Sequence, residues 1–384
     1  MKIGIVDAEL IYGVRHRFPN LCCMKLSGYY KSKGNDVNLI TNLSEVFSPL
    51  SDLIGNSYDK IFVSKVFTKT DFPKEFLEQP NVEYGGTGFF FDKASPLPDE
   101  IEHHKPDYTL YNNYIKENAK KYKRKNTFNF YTDYSMGYLT RGCPRACKFC
   151  VNRTNTKCRE WSPIEEFMDE NRPKLCFIDD NFLSLKDREN KLKQIISTGK
   201  PFIFHQGLDF RLLDDTMMSL LSNAKYDGKL KFAFDNIKDF PMMERQMNKW
   251  KSYTKSNNDA VFYVLVGFPH NSEEINDVFW KNDIIDMWRR IDFLIENRCF
   301  PYIMRHENAT SDLLDVNLKE FYNAVSCWAN QTFICYGSSF EEYLVLDTKY
   351  HGNKRHDICM EVISKIPEIK EFTKKCFKKM KKFS

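Results

Sequence analysis

Short all-apolar runs alternate along the chain with stretches whose apolar residues recur every three or four positions, the pattern of buried strands joined by helices. Near the start, KIGIVD reads as a buried strand, Leu21–Tyr30 has helical spacing with Gly34 as a stop, and DVNLIT is a second strand. YDKIFVSKVF and NVEYGG read as further strands. Parallel strands need right-handed crossovers, so residues 1–93 are expected to form a small Rossmann-like parallel-sheet domain. A dinucleotide fingerprint is missing, because YGGTGFFF does not follow a strand and open a helix in the required way.

Residues 94–133, rich in Pro, His and Lys, read as a linker over the surface. Beyond it the βα alternation resumes over 134–310. Strands are expected near Gly137–Thr140, Leu175–Asp179, Phe202–Gln206, Leu230–Phe234, Val261–Gly267 and Pro301–Arg305. The first helix that follows is signalled by Ser162 as N-cap, Pro163 at its first position and Glu165 as capping-box partner. Six successive βα units curve into a partial (βα)6 barrel, whose chemistry belongs at the carboxyl ends of the strands. Residues 311–384 read as a mixed, partly helical extension with a basic tail. The expected class is α/β throughout.

Composition supports burial. With 42% hydrophobic, 15% aromatic and 28% charged residues in 384, the chain can build more than one core and is not a disordered polymer. A net charge of +5 is small for this length and implies no acidic partner by itself. The first run meets Asp7 too soon for a signal peptide, and no run suits a membrane span, so a cytoplasmic protein with no membrane partner is expected. Twelve cysteines without an export signal point to free thiols or metal ligands.

The most specific signal is TRGCPRACKFCVNR, which places Cys143, Cys147 and Cys150 in a three-then-two spacing directly after the first predicted barrel strand. Iron–sulfur clusters are held by thiolates on tight loops, and three ligands to a cubane leave one iron open. A structural zinc site completed by Cys158 or a histidine is the alternative reading of the same thiols. Cys158, Cys176, Cys299, Cys327 and Cys335 form no recognised second set, and Cys22–Cys23 sit in an apolar helix as core.

These residues resemble the radical S-adenosylmethionine (radical SAM) superfamily, in which a Cys-x3-Cys-x2-Cys loop follows the first strand of a partial (βα)6 barrel. The resemblance covers roughly 135–310. It implies a [4Fe-4S] cluster on Cys143, Cys147 and Cys150, S-adenosylmethionine as cofactor, and an external one-electron reductant. Phe149 resembles the aromatic that commonly precedes the third cysteine and packs near adenine. Asp179, Asp180 and Asn181 fall where the family contacts the amino group and ribose. Gln206, Asp209 and Arg211 follow the third strand, Asp235 and Asn236 the fourth, and Gly267 ends the fifth in VLVGFP; all are expected polar or close-approach contacts to cofactor or substrate. Two departures stand out: VGFPHNSEE matches the family segment only loosely, and an acidic pair stands where many members have Gly-Gly-Glu. A helix cap is the structural alternative for Asp179 and Asp180.

A parallel α/β domain ahead of the barrel resembles, in layout, the cobalamin-binding subclass. The Asp-x-His-x-x-Gly motif that ligates cobalt is missing, which argues against cobalamin. Two lysine-rich segments invite a nucleic-acid reading: Lys116, Lys120, Lys121, Lys123, Arg124 and Lys125 with Tyr122 and Phe128 interleaved, and a tail from Lys370 to Lys382. In the tail, Ile369, Phe372, Cys376 and Met380 suit a basic amphipathic helix. Solvated, charged surface is the favoured reading of both, and a metal-stabilised nucleic-acid module is the rival to the enzyme. Nothing in the sequence names the substrate.

Overall fold

The structure, a computed structural model, describes residues 1–13, 17–46, 57–120, 127–254 and 260–379. The chain divides into two compact units, residues 1–180 with 200–202, and residues 181–199 with 203–384.

In the first unit, β1 (Lys2–Asp7), β2 (Asp36–Leu39), β3 (Lys60–Ser64) and β4 (Val82–Gly85) form a sheet in the order β2-β1-β3-β4. All its pairs are parallel, with Ile5 opposite Leu39 on one side and Phe62 on the other. Their β-branched and apolar residues are buried because a central parallel strand is covered on both faces. Val6, Ile40, Leu43, Ile61, Val63 and Phe76 make one continuous cluster. The expected helix spans Leu21–Ser32 and starts on Asn20, whose side-chain oxygen accepts the Cys23 N–H at 3.3 Å.

Residues 94–133 do not skirt the surface as a linker. Ile101, Tyr108, Leu110, Tyr111 and Tyr131 are buried in this unit. Two phenols explain the difference. Tyr111 Oη donates to Asp7 Oδ2 at 2.8 Å and accepts the Asn20 N–H at 3.1 Å. Tyr108 Oη donates to the Phe167 carbonyl at 2.6 Å and accepts the Met136 N–H at 2.9 Å. Rings whose hydroxyls are satisfied can be buried inside an otherwise polar stretch. The basic run at 121–125 lies outside the described residues.

The first strand expected of the barrel is broken in two. β5 (Tyr134–Gly137) is followed by β6 (Thr140–Arg141), which pairs antiparallel with β7 (Arg159–Glu160), and then by β8 (Lys174–Phe177), parallel to β5. The helix between β7 and β8 is one turn, Ile164–Phe167, with Pro163 at its start and no side-chain cap. The predicted capping box is absent: Ser162 Oγ donates to Glu166 Oε1 at 2.6 Å, and Glu165 has no part in it. β9 (Phe202–Phe204) begins beside β8, where the Leu175 N–H donates to the Pro201 carbonyl at 2.9 Å.

In the second unit, β10 (Lys231–Ala233), β11 (Val261–Val266) and β12 (Phe300–Arg305) are parallel. Phe210, Phe232, Phe262 and Trp250 pack edge-on and tilted behind them. Six strands thus fall within a few residues of their predicted places, and among the described residues their ladders are β5-β8-β9 and β10-β11-β12. The extension is helical, with Val316–Ala329, Thr332–Gly337, Phe340–His351 and Lys354–Lys365.

The described part of the tail is not an amphipathic helix. It runs through 3-10 turns at Pro367–Ile369, Phe372–Lys374 and Phe377–Lys379. Ile369, Cys376 and Phe377 are buried, and Lys375 binds Asp292 at 2.6 Å and Glu296 at 2.7 Å. Residues 380–384 lie outside the described residues. Among the described residues no helix is long and apolar enough to cross a membrane.

Candidate functional site

The antiparallel pair β6–β7 sets Thr140 opposite Glu160 and Arg141 opposite Arg159, so residues 142–158 form an excursion pinned at its base. This excursion carries Cys143, Cys147 and Cys150, all partly exposed. It is built from tight turns. The Cys150 N–H donates to the Cys147 carbonyl at 2.9 Å, the Asn155 N–H to the Asn152 carbonyl at 3.1 Å, and the Cys143 N–H to the Asn155 carbonyl at 2.9 Å. Two backbone conformations are costly. Gly142 has φ +96°, and a Cβ there would lie 2.2 Å from the Lys157 carbonyl oxygen, so only glycine fits. Ala146, between the first two cysteines, has φ +46°, a left-handed conformation that disfavours any side chain.

The acidic pair at the end of β8 holds this loop. Asp179 is 2% exposed, and its Oδ1 accepts both the N–H and the hydroxyl of Thr140, at 2.5 and 2.6 Å. Its Oδ2 is buried with no hydrogen-bond partner among the described residues. Burial pushes this carboxyl up to about 7, against the pull of the Thr140 hydrogen bonds. Asp180 uses both oxygens: Oδ2 accepts the Gly142 N–H and Oδ1 the Asn152 Nδ2, each at 2.7 Å, with Arg141 Nη1 at 4.0 Å. Asn152 in turn directs its own N–H at Cys150 Sγ, at 3.4 Å.

The donor chemistry suits an iron–sulfur cluster. Thiols on short turns with a backbone N–H aimed at one sulfur are the ligand environment such clusters use. Cys143, Cys147 and Cys150 would supply three thiolates. Among the described residues, however, no three His, Cys, Asp or Glu side chains converge closely enough to hold a metal ion. From 141 to 159 the chain also carries six Arg or Lys residues and no Asp or Glu, a local field that favours an anionic ligand group. Arg141 stacks on the Tyr138 ring at 3.9 Å and Arg153 pairs with Asp92 at 2.7 Å.

The chain is similar to two solved structures of the cobalamin-dependent S-adenosylmethionine radical enzyme OxsB. The form with aqua-cobalamin and S-adenosylmethionine bound matches at 14% identity, over 84% of this chain and 55% of that chain, with a TM-score of 0.30. The apo, selenomethionine-labelled form matches at 13% identity, over 87% and 56%, with a TM-score of 0.34. Both are radical S-adenosylmethionine enzymes. The chain spans just over half the length of these enzymes. No family model matches it, and no curated protein does. Since both neighbours are cobalamin-dependent, the expectation against cobalamin finds no support in them.

The other predicted residues fall in two groups. Phe149 is partly buried on the cysteine loop with Asp179 and Asp180 in the first unit, whereas Asn181 opens the second. Within the second unit, Arg211 is gripped by carboxylates: Nε reaches Asp209 Oδ1 at 2.7 Å and Nη1 reaches Asp239 Oδ2 at 2.6 Å. Those bonds hold its guanidinium firmly charged despite burial. Gln206 is exposed. Asn236 Oδ1 caps the next turn through the Lys238 N–H at 3.0 Å. The Asp235 carboxyl is pushed up to about 6 by burial, while Arg290 and Arg211 pull it down.

Gly267 is a close approach, with φ +74° and Ala309 Cβ 2.7 Å from where its own Cβ would stand. Its N–H donates to Asp283 Oδ2 and its carbonyl accepts from Asn308 Nδ2, both at 3.0 Å. Sequence reasoning missed Thr140, Gly142, Asn152 and Asn155. Only Gly142 carried a signal, as a glycine one residue before a ligand.

Proposed function

We propose that this chain is a radical S-adenosylmethionine enzyme in which Cys143, Cys147 and Cys150 hold a [4Fe–4S] cluster with one iron open to the cofactor. The supporting observation is the three-then-two cysteine loop, raised on β6–β7 and tied to the end of β8 by Asp179 and Asp180. A cluster held there would supply the electron for reductive cleavage of S-adenosylmethionine to methionine and a 5′-deoxyadenosyl radical. The residues around it act by positioning. Asp179 and Thr140 fix the start of the loop, Asp180 fixes Gly142 and Asn152, and the Asn152 N–H meets the Cys150 sulfur.

The test is anaerobic reconstitution with iron and sulfide. The protein is expected to hold about four irons per chain with a cluster absorption spectrum, and Cys147→Ala to lose it. Retention of the full spectrum in that variant overturns the assignment; uptake of zinc alone supports a metal-stabilised module instead.

A further inference from the structure

We infer that Asp180 is a positioning residue for the cluster, acting through Asn152 on the sulfur of Cys150, and that it does not contact S-adenosylmethionine. The inference rests on the radical-enzyme reading and assigns one of its predicted cofactor contacts a different task. Both Asp180 oxygens are already engaged, one by the Gly142 N–H and one by Asn152 Nδ2, each at 2.7 Å, and the side chain is 6% exposed. These bonds take about two of a carboxylate's four acceptor sites, and burial of the side chain shields the rest from an ammonium or a ribose hydroxyl.

What it holds is more telling. Gly142 directly precedes the first cysteine, and Asn152 follows the third by two residues, so a single carboxylate ties both ends of the ligand loop. Asn152 is the hub. Its side chain is fixed by Asp180, its N–H donates to Cys150 Sγ at 3.4 Å, and its carbonyl accepts from Asn155, whose own carbonyl accepts the Cys143 N–H. Turning Asn152 therefore disturbs one ligand sulfur directly and the backbone of another ligand at one remove. Hydrogen bonds to cluster sulfurs stabilise the more negative, reduced state and so set the reduction potential. Partners of metal ligands of this kind typically change metal retention about 10–100-fold when removed.

Asp180→Asn is nearly isosteric but offers one acceptor oxygen and no charge, so with Asn152 donating as it does here the contact to Gly142 or that to Asn152 is lost. The double variant D180N/N152D restores the pattern with donor and acceptor exchanged: the amide at 180 accepts from Gly142 and donates to the carboxylate at 152. The experiment compares wild type, D180N and D180N/N152D after anaerobic reconstitution. Three quantities are read: the rate of iron loss to a chelator, the midpoint potential by redox titration, and the electron paramagnetic resonance spectrum of the reduced cluster.

D180N is expected to lose iron about 10–100-fold faster, with a shifted potential and a shifted spectrum, while its affinity for S-adenosylmethionine per intact cluster stays at the wild-type level. The double variant should recover all three. A D180N cluster with wild-type potential, spectrum and iron retention overturns the inference. So does a D180N protein that keeps those properties but loses cofactor affinity, which would return Asp180 to direct contact. Wild-type protein that takes up no cluster overturns the radical-enzyme reading, and this inference with it.

Discussion

Asp179 offers the most quantitative test of how the loop is held. Its Oδ1 serves both Thr140 donors while Oδ2 has no hydrogen-bond partner among the described residues, and burial raises the carboxyl from an ordinary 3.8 to about 7. In the unfolded chain the group ionises near its ordinary value. Between those two values the unfolded state binds fewer protons than the native one, so the contribution of Asp179 to stability falls as pH rises from about 4 to about 7 and is flat above. Three pH units correspond to about 4 kcal/mol.

Asp179→Asn keeps an oxygen for both Thr140 bonds and cannot ionise. Its stability relative to wild type should therefore grow from near zero at about pH 4 to about 4 kcal/mol above pH 7. Asp179→Ala should be less stable than Asp179→Asn at every pH, because it leaves two buried donors of Thr140 unpaired at about 1–3 kcal/mol each. Urea unfolding of the apoprotein from pH 4.5 to 8, extrapolated linearly, measures all three. An Asp179→Asn curve parallel to wild type across that range would refute the reasoning.

Two other outcomes follow from single residues. Ala146→Gly should relieve the left-handed strain at φ +46° and stabilise the apoprotein by about 1 kcal/mol in the same urea assay; a loss of stability would show that the loop does not adopt this conformation. Arg290 is 2% exposed and its Nη1 donates to the carbonyls of Phe234, Asp235 and Leu265 at 3.0, 2.8 and 2.9 Å, joining the ends of β10 and β11. Arg290→Met should lower stability by about 3–5 kcal/mol, since Asp235 and Asp283 lose their buried counter-charge; a change below about 1 kcal/mol in thermal melts would contradict that role.

The strands were legible because buried parallel strands are unbroken apolar runs, as in KIGIVD and VFYVLV. The cysteine loop was legible because ligand spacing along a chain limits how thiols can meet. What escaped depended on partners far away in sequence. The stretch 94–133 read as polar because nothing local shows that Tyr111 answers Asp7, which lies 104 residues before it. Helical spacing at Ile369, Phe372 and Cys376 was real, yet Lys375 is drawn to Asp292 and Glu296, and the chain follows those contacts into 3-10 turns. The box at Ser162 failed because Glu166 on the adjoining turn captured its hydroxyl. Asp179 and Asp180 were rightly placed at a strand end, but a sequence does not reveal what a carboxylate faces. They face the backbone of the cysteine loop.

On the proposed function, this loop supports reductive cleavage of S-adenosylmethionine. Reconstituted protein incubated anaerobically with S-adenosylmethionine and dithionite should yield 5′-deoxyadenosine and methionine, with none formed when dithionite is omitted or Cys147→Ala is used. A preparation that holds its full iron complement yet forms no more 5′-deoxyadenosine than the Cys147→Ala variant would contradict the account.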